Sequence, residues 1–218
     1  MKNQDIIDQT VEFVKETLAD AEGGHDWWHI YRVWKTAKHI AEQEPNVDLL
    51  VVELGALLHD IADAKFHDGD EEIGPKTATD FLNSINVPAE IITHVGNIVR
   101  HISFKGSLEG QKWTSPELAV VQDADRLDAI GAIGIARTFN YGGYKERAIY
   151  DPNIKPIFEI KKEEYKNSTA PSINHFYEKM LLLKNLMNTK TGKGLAEQRH
   201  QFMEQYLKQF YAEWEGER

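Results

Sequence analysis

Three vicinal His-Asp pairs occur in the sequence, His25-Asp26, His59-Asp60 and His67-Asp68, and only His59-Asp60 closes a nearly unbroken apolar run, Leu54-Gly55-Ala56-Leu57-Leu58. An imidazole beside a carboxylate at the end of a buried helix is costly unless something satisfies both groups, and a divalent cation does so. A core histidine bonded to a backbone carbonyl is the competing account, and the pair alone does not decide between them. His67-Asp68 lies in a charged stretch and reads as solvated. In His25-Asp26, helix capping accounts for the aspartate and nothing requires the histidine. The decision rests on partners. His29 sits one turn before Val33 on a helix that follows Gly23-Gly24, and Asp125 lies four residues after Val121 on a helix with an apolar stripe. A carboxylate on such a face needs a partner or a cation. One histidine, one His-Asp pair and one distant aspartate, each on its own helix, make a two-histidine, two-carboxylate set. The chain has no cysteine, so any metal must be held by His, Asp and Glu, donors that suit Mn, Fe, Ni, Zn or Mg.

The elements that must position these residues read as helices throughout. Ile7, Val11, Val14 and Leu18 follow the helical period over residues 5 to 20. Asp26 is placed to cap a helix with a stripe of Ile30, Val33, Ala37 and Ile40, which Pro45 stops. Asp48 opens the central helix, expected to run to about Ala62. An acidic loop over residues 63 to 75 follows, then helices carrying Ala78, Leu82 and Ile85, and, after Pro88, Ile91, Val95, Ile98 and Val99. Residues 103 to 114 read as a loop, and Ser115-Pro116-Glu117 starts the helix that carries Asp125. From about Phe139 to Pro171 the pattern breaks into turn signals, Asn140 to Lys145, Asp151-Pro152 and Lys155-Pro156, and this irregular stretch is expected to act as a partial lid. Two amphipathic helices over 172–214 finish the chain, and Leu181-Leu182-Leu183 and the stripe of Phe202, Tyr206, Phe210 and Trp214 are expected in the core. No β alternation or internal repeat stands out. The fold expected is all-α, one domain over residues 1–218.

With 218 residues, 41% hydrophobic and 28% charged, the chain can fill one core. The net charge of −10 argues against stable nucleic-acid binding, while a bound cation can still draw in a small phosphorylated substrate. No apolar run is long enough to span a bilayer, and Met1 to Asp5 lacks the layout of a secretory signal, so a cytoplasmic location is expected.

The order His29, His59-Asp60, Asp125 resembles the H…HD…D signature of the HD-domain superfamily of metal-dependent phosphohydrolases. The flanking strings agree: His25-Asp26-Trp27-Trp28-His29-Ile30-Tyr31-Arg32-Val33, His59-Asp60-Ile61-Ala62-Asp63 and Ala124-Asp125-Arg126-Leu127. The resemblance covers residues 20 to 140, and Asp123 to Ala132 is most similar to small stand-alone bacterial members, some of which are nucleoside triphosphate pyrophosphohydrolases. It implies that His29, His59, Asp60 and Asp125 ligate one divalent cation, for which manganese is the favoured choice. Asp63 matches the acidic residue after the His-Asp pair in several members and is read as positioning or deprotonating the nucleophilic water, against the alternative of a helix-end carboxylate facing solvent.

His94 and His101 are two helical turns apart and share a face. Two-metal members of the family take two extra histidines from different helices, which this spacing does not reproduce. His101, with Arg100, is read as a phosphate contact or proton donor to the leaving group, against the alternative of an ordinary helix surface. Lys65 is the best basic candidate for neutralising phosphate, and Arg126, Lys145 and Arg147 are weaker ones. Asp123 and Asp128 read equally as partners of a ligand or as solvated side chains, and Trp27, Trp28 and Trp34 read as core or wall. The reaction expected is hydrolysis of (deoxy)nucleoside triphosphates to monophosphate and pyrophosphate. A nucleoside monophosphatase or nucleotide phosphodiesterase is the alternative, and a non-catalytic nucleotide-sensing module is the reading from another class. The oligomeric state is left open, a homodimer included.

Overall fold

The caps anticipated in the sequence start three of the helices that matter most. In the structure, a computed structural model describing residues 2–19, 26–62, 70, 72–102, 113–158 and 169–218, Asp26 Oδ1 accepts the His29 N–H at 3.0 Å and starts α2 (Trp27–Ala41). Asp48 Oδ1 accepts the Leu50 and Val51 N–H groups at 2.9 and 3.3 Å and starts α3 (Leu49–Leu58). Ser115 Oγ accepts the Leu118 N–H at 3.0 Å at the head of a helix over Pro116–Asp128. Each side chain satisfies backbone donors that a helix start otherwise leaves open.

In chain order the helices are α1 (Asn3–Thr17), α2, α3, α4 (Ile73–Ser84), α5 (Ala89–His101), α6 (Pro116–Asp128), α7 (Gly131–Tyr144) and α8 (Asn174–Glu178), then a 3-10 segment, Met180–Leu186, and α9 (Lys190–Trp214). The fold is all-α, with no strand among the described residues. None of the described helices is long and apolar enough to cross a membrane. The chain divides into two compact units, Met1–Asp125 with Asn188–Thr191, and Arg126–Met187 with Gly192–Arg218.

In the first unit α3 is the axis. Every residue from Leu50 to Leu58 is buried, and α1, α2 and α5 pack against it. Gly55 sets how closely α3 meets its neighbours: a Cβ there would lie 3.1 Å from Ile98 on α5 and 3.5 Å from Val121 on α6. Buried polar ties fix the helices to one another. Glu53 on α3 accepts from Trp34 Nε1 at 3.0 Å and Lys38 Nζ at 3.3 Å. Glu117 on α6 accepts the Asp48 N–H at 3.0 Å and lies 3.2 Å from His94 Nε2 on α5. In the second unit, Phe139, Phe176 and Tyr206 form an aromatic cluster that continues through the Tyr206–Phe210 contact to Tyr150, Tyr211 and Trp214.

Several boundaries differ from the sequence reading. α3 stops at Leu58 instead of continuing to Ala62, because the His59 ring takes the Ala56 carbonyl and Ile61 N–H turns back to Leu58. Residues 139–144, expected to be irregular, belong to α7; Gly142 is there for a close approach, since a Cβ would lie 2.1 Å from Ser172 Oγ. The Ile173–Met187 stretch is not one helix but the short α8 followed by the 3-10 segment, in which Leu183 is buried and Leu182 exposed. Phe202, Trp214 and Trp28 are also exposed where core or wall positions were expected; Trp28 lies on the side of α2 opposite the Ile30, Val33, Ala37 and Ile40 stripe. Of the loops expected over 63–75 and 103–114, residues 63–69, 71 and 103–112 lie outside the described residues, while residues 73–75, expected in the first loop, already form the start of α4.

Candidate metal centre

Four side chains from three helical elements of the first unit converge. His29 on α2 and His59, in the turn after α3, are buried and meet edge to face with ring centroids 5.4 Å apart. Their Nε2 atoms lie 3.5 and 3.9 Å from Asp125 Oδ1 on α6, and each lies 3.7 Å from Asp60 Oδ2. One ligand atom each from His29, His59 and Asp125 falls within 4.8 Å of the others, the spread expected of donors around a single ion. Asp125 is the open side of the centre, its side chain 41% exposed against 2% and 1% for the two histidines.

The chemistry of His59 tests whether a cation fits. Its Nδ1 lies 2.8 Å from the Ala56 carbonyl oxygen. A carbonyl only accepts, so Nδ1 carries the proton and Nε2 presents its lone pair toward the cluster. That Nε2 is buried and has no hydrogen-bond partner among the described residues. A buried acceptor without a donor is costly. A divalent cation between two neutral imidazoles and two carboxylates satisfies it, and the donor set fits Mn, Fe, Ni, Zn or Mg. His29 is fixed differently, by the first turn of α2 that Asp26 caps.

The other residues singled out by sequence fall as follows. Asp63 and Lys65 lie outside the described residues, as do His25 and His67-Asp68. Arg100, at the end of α5, makes a two-pronged pair with Glu72, with Nε 3.0 Å from Oε1, and the guanidinium holds the Glu72 carboxyl below its usual range. His101 stacks on Trp113 with ring centroids 5.9 Å apart, and its carbonyl accepts from Gln122 Nε2 at 3.2 Å. His94 meets the same Trp113 edge-on at 5.3 Å and Ser115 Oγ at 3.0 Å, which places it in the Glu117 tie. Asp123 and Asp128 are both buried, so the solvated reading of each is corrected. Asp123 accepts from Asn188 and Thr189, and Asp128 pairs with Arg137 at 2.6 Å. Arg126 donates to the Leu186 carbonyl at 2.6 Å. Arg147 and Lys145 lie over Tyr141, at 5.5 and 5.8 Å from its centre. The sequence reading missed Glu117 and Gln122. Their only sequence signal is a polar residue interrupting the α6 pattern.

Comparison with known proteins agrees with this geometry. The family described as HD domain matches residues 27–130, a span that contains all four converging residues. YpgQ of Bacillus subtilis is 37% identical over 211 residues, 96% of this chain and 94% of that protein. A crystal structure of an HD-superfamily hydrolase from Bacillus thuringiensis superposes with a TM-score of 0.80 at 45% identity, covering 99% of this chain and 100% of that one. The crystal structure of B. subtilis YpgQ in complex with ADP superposes with a TM-score of 0.74 at 37% identity, covering 98% and 97%. With its residues paired along nearly their whole length to such relatives, and its own H…HD…D residues gathered at one point, the chain belongs to the HD-domain superfamily of hydrolases.

Proposed function

We propose that this chain is a divalent-metal-dependent phosphohydrolase that cleaves nucleoside triphosphates, ribo or deoxyribo, to the monophosphate and pyrophosphate, with manganese as the favoured ion. The observation that carries the reading is the buried His59 Nε2, which has no hydrogen-bond partner among the described residues and faces His29, Asp60 and Asp125. A nucleotide as ligand is supported by the ADP complex of the B. subtilis relative, since ADP carries both a nucleoside and a phosphoric anhydride.

In this reading His29, His59, Asp60 and Asp125 hold the cation, which would polarise a phosphoryl oxygen and make nearby water more acidic. The chain's own groups do the rest. The His59 imidazole is held by the Ala56 carbonyl, and His29 is placed by the capped start of α2. Asp63, three residues beyond Asp60, orients and deprotonates the water that attacks the α-phosphorus. The α–β bridging oxygen then leaves with pyrophosphate, and His101 donates the proton that offsets its charge. Lys65 and Arg100 neutralise the remaining phosphate oxygens, Arg100 exchanging the Glu72 carboxylate for a phosphate.

The test is product analysis with the Mn²⁺-loaded protein over a panel of nucleotides. Pyrophosphate and monophosphate should appear in equal amounts from triphosphates. Orthophosphate as the sole inorganic product would remove the pyrophosphohydrolase reading in favour of a monophosphatase, and opening of a cyclic or bridged diester would favour a phosphodiesterase. Tight nucleotide binding with no product over hours would instead indicate a sensing module.

A further inference from the structure

Four residues far along the chain, Asn188–Thr191, belong to the first unit although the residues on either side of them belong to the second. Two carboxylates grip this strap. Asp123 Oδ1 accepts the Asn188 N–H at 2.8 Å, and its Oδ2 accepts both the N–H and the hydroxyl of Thr189 at 2.8 Å. Glu44, just past the end of α2, accepts the Thr191 N–H at 2.7 Å, and this bond holds its carboxyl below the usual range. Gln122 adds a third tie, accepting from Asn188 Nδ2 at 3.1 Å and donating to the His101 carbonyl at 3.2 Å.

Asp123 is fully buried. A carboxylate in that position is tolerated because the strap supplies three donors to it, and bonds to an ionised acceptor are stronger than neutral ones. Asp123 and Asp125 are two residues apart on α6, about 200° around the helix, so they leave it on nearly opposite sides. The strap therefore holds α6 from behind while Asp125 faces the two histidines. Asp125 is also the most exposed of the four converging side chains, so its place depends on the rotation of the helix that carries it. A carboxylate roughly 5 Å from a helix axis moves about 1 Å for a turn of about 10°. Metal–ligand distances tolerate only about 0.2 Å.

We propose that the Asn188–Thr191 strap, gripped by Asp123 and Glu44, is a positioning element of the metal centre: it fixes the rotation of α6 and so presents Asp125 to His29 and His59. The inference rests on the metal reading above. It extends the working centre beyond residues 27–130, the span of the HD-domain match.

The test is Mn²⁺ titration of the full chain by calorimetry, alongside thermal melting of the chelator-treated protein. In Asp123→Asn an amide N–H₂ or a neutral oxygen faces donors that now meet a charged acceptor, and Mn²⁺ affinity should fall about 10- to 100-fold. Thr189→Val removes only the hydroxyl donor and should weaken Mn²⁺ about 3-fold. Helical content should persist in both, and turnover at saturating Mn²⁺ should approach that of the wild type. A lowered melting temperature with unchanged Mn²⁺ affinity would mean the strap is merely structural and would overturn the proposal. If Asp123→Asn does not fold, Thr189→Val decides, and wild-type affinity there overturns it. A wild type that binds no Mn²⁺ brings down the metal reading itself, and the strap's role with it.

Discussion

His59 in the first unit and His200 in the second share one condition: each is buried, and each has a ring nitrogen with no hydrogen-bond partner among the described residues, Nε2 in His59 and Nδ1 in His200. Only one of them marks a site. The free nitrogen of His59 points into a cluster with His29, Asp60 and Asp125, while its other nitrogen is locked to a carbonyl. His200 sits on the buried stripe of α9 with Ala196, Met203 and Leu207, and its Nε2 lies 3.4 Å from Glu204, an exposed residue on the same helix. Among the described residues, no group of metal-ligating side chains converges on it. An orphaned donor or acceptor is therefore only half of a metal site. The other half is convergence from separate elements, and this is what the first unit is built to hold.

The contrast breaks if the two histidines prove equivalent. His59→Ala should abolish Mn²⁺ binding and lower hydrolysis about 1000-fold or more, measured by calorimetry and product release; retained activity would remove His59 from the centre. In the wild type, Mn²⁺ at 100 times its Kd should stabilise the fold by about 2.7 kcal/mol, read as a rise in melting temperature. That rise should vanish in His59→Ala and persist in His200→Leu.

The second unit has its own buried histidine with a different signature. Burial pushes the His175 imidazole down to about 4, helped by Lys179 and Arg147. A histidine that resists protonation in the fold stabilises it fully above its unfolded value of 6.5 and loses that contribution as pH falls toward about 4. The unfolding free energy should thus drop by at most about 3 kcal/mol over that range, and His175→Leu should flatten this part of the profile. Gly142→Ala should cost about 1 kcal/mol by driving a methyl into Ser172, and Ser172→Ala should relieve it in the double variant. The smallest effect is expected at His200 itself. His200→Leu replaces a polar group that lacks one partner with an apolar one of similar size, and stability should change by less than about 1 kcal/mol. A large loss there would reveal a partner for Nδ1 and close the comparison.

The converging residues were legible in the sequence because each leaves a local mark. His59-Asp60 ends an apolar run, His29 follows a cap, and Asp125 interrupts an apolar stripe. Long-range partners left none. Asp123 could not be told from a solvated side chain, because its donors lie 65 and 66 residues further on. Gly142-Gly143 read as a turn because the close approach that fits Gly142 to a helix comes from Ser172. The end of α3 was set too late because a side-chain bond, His59 to the Ala56 carbonyl, overrides the apolar pattern that would carry the helix onward. Local pattern marked the caps and the four residues that converge. Closure between distant segments had to be seen.

The split membership of the strap also imposes an order in time. When the ribosome has released Asp123, another 65 residues must follow before Asn188 can reach it. At roughly 5–20 residues per second that gap lasts about 3–13 s. For those seconds a nascent chain has every residue of the H…HD…D set but not the segment that grips Asp123 behind the last of them. The first unit to be synthesised is thus among the last to be finished, closed only by a segment from the C-terminal part of the chain.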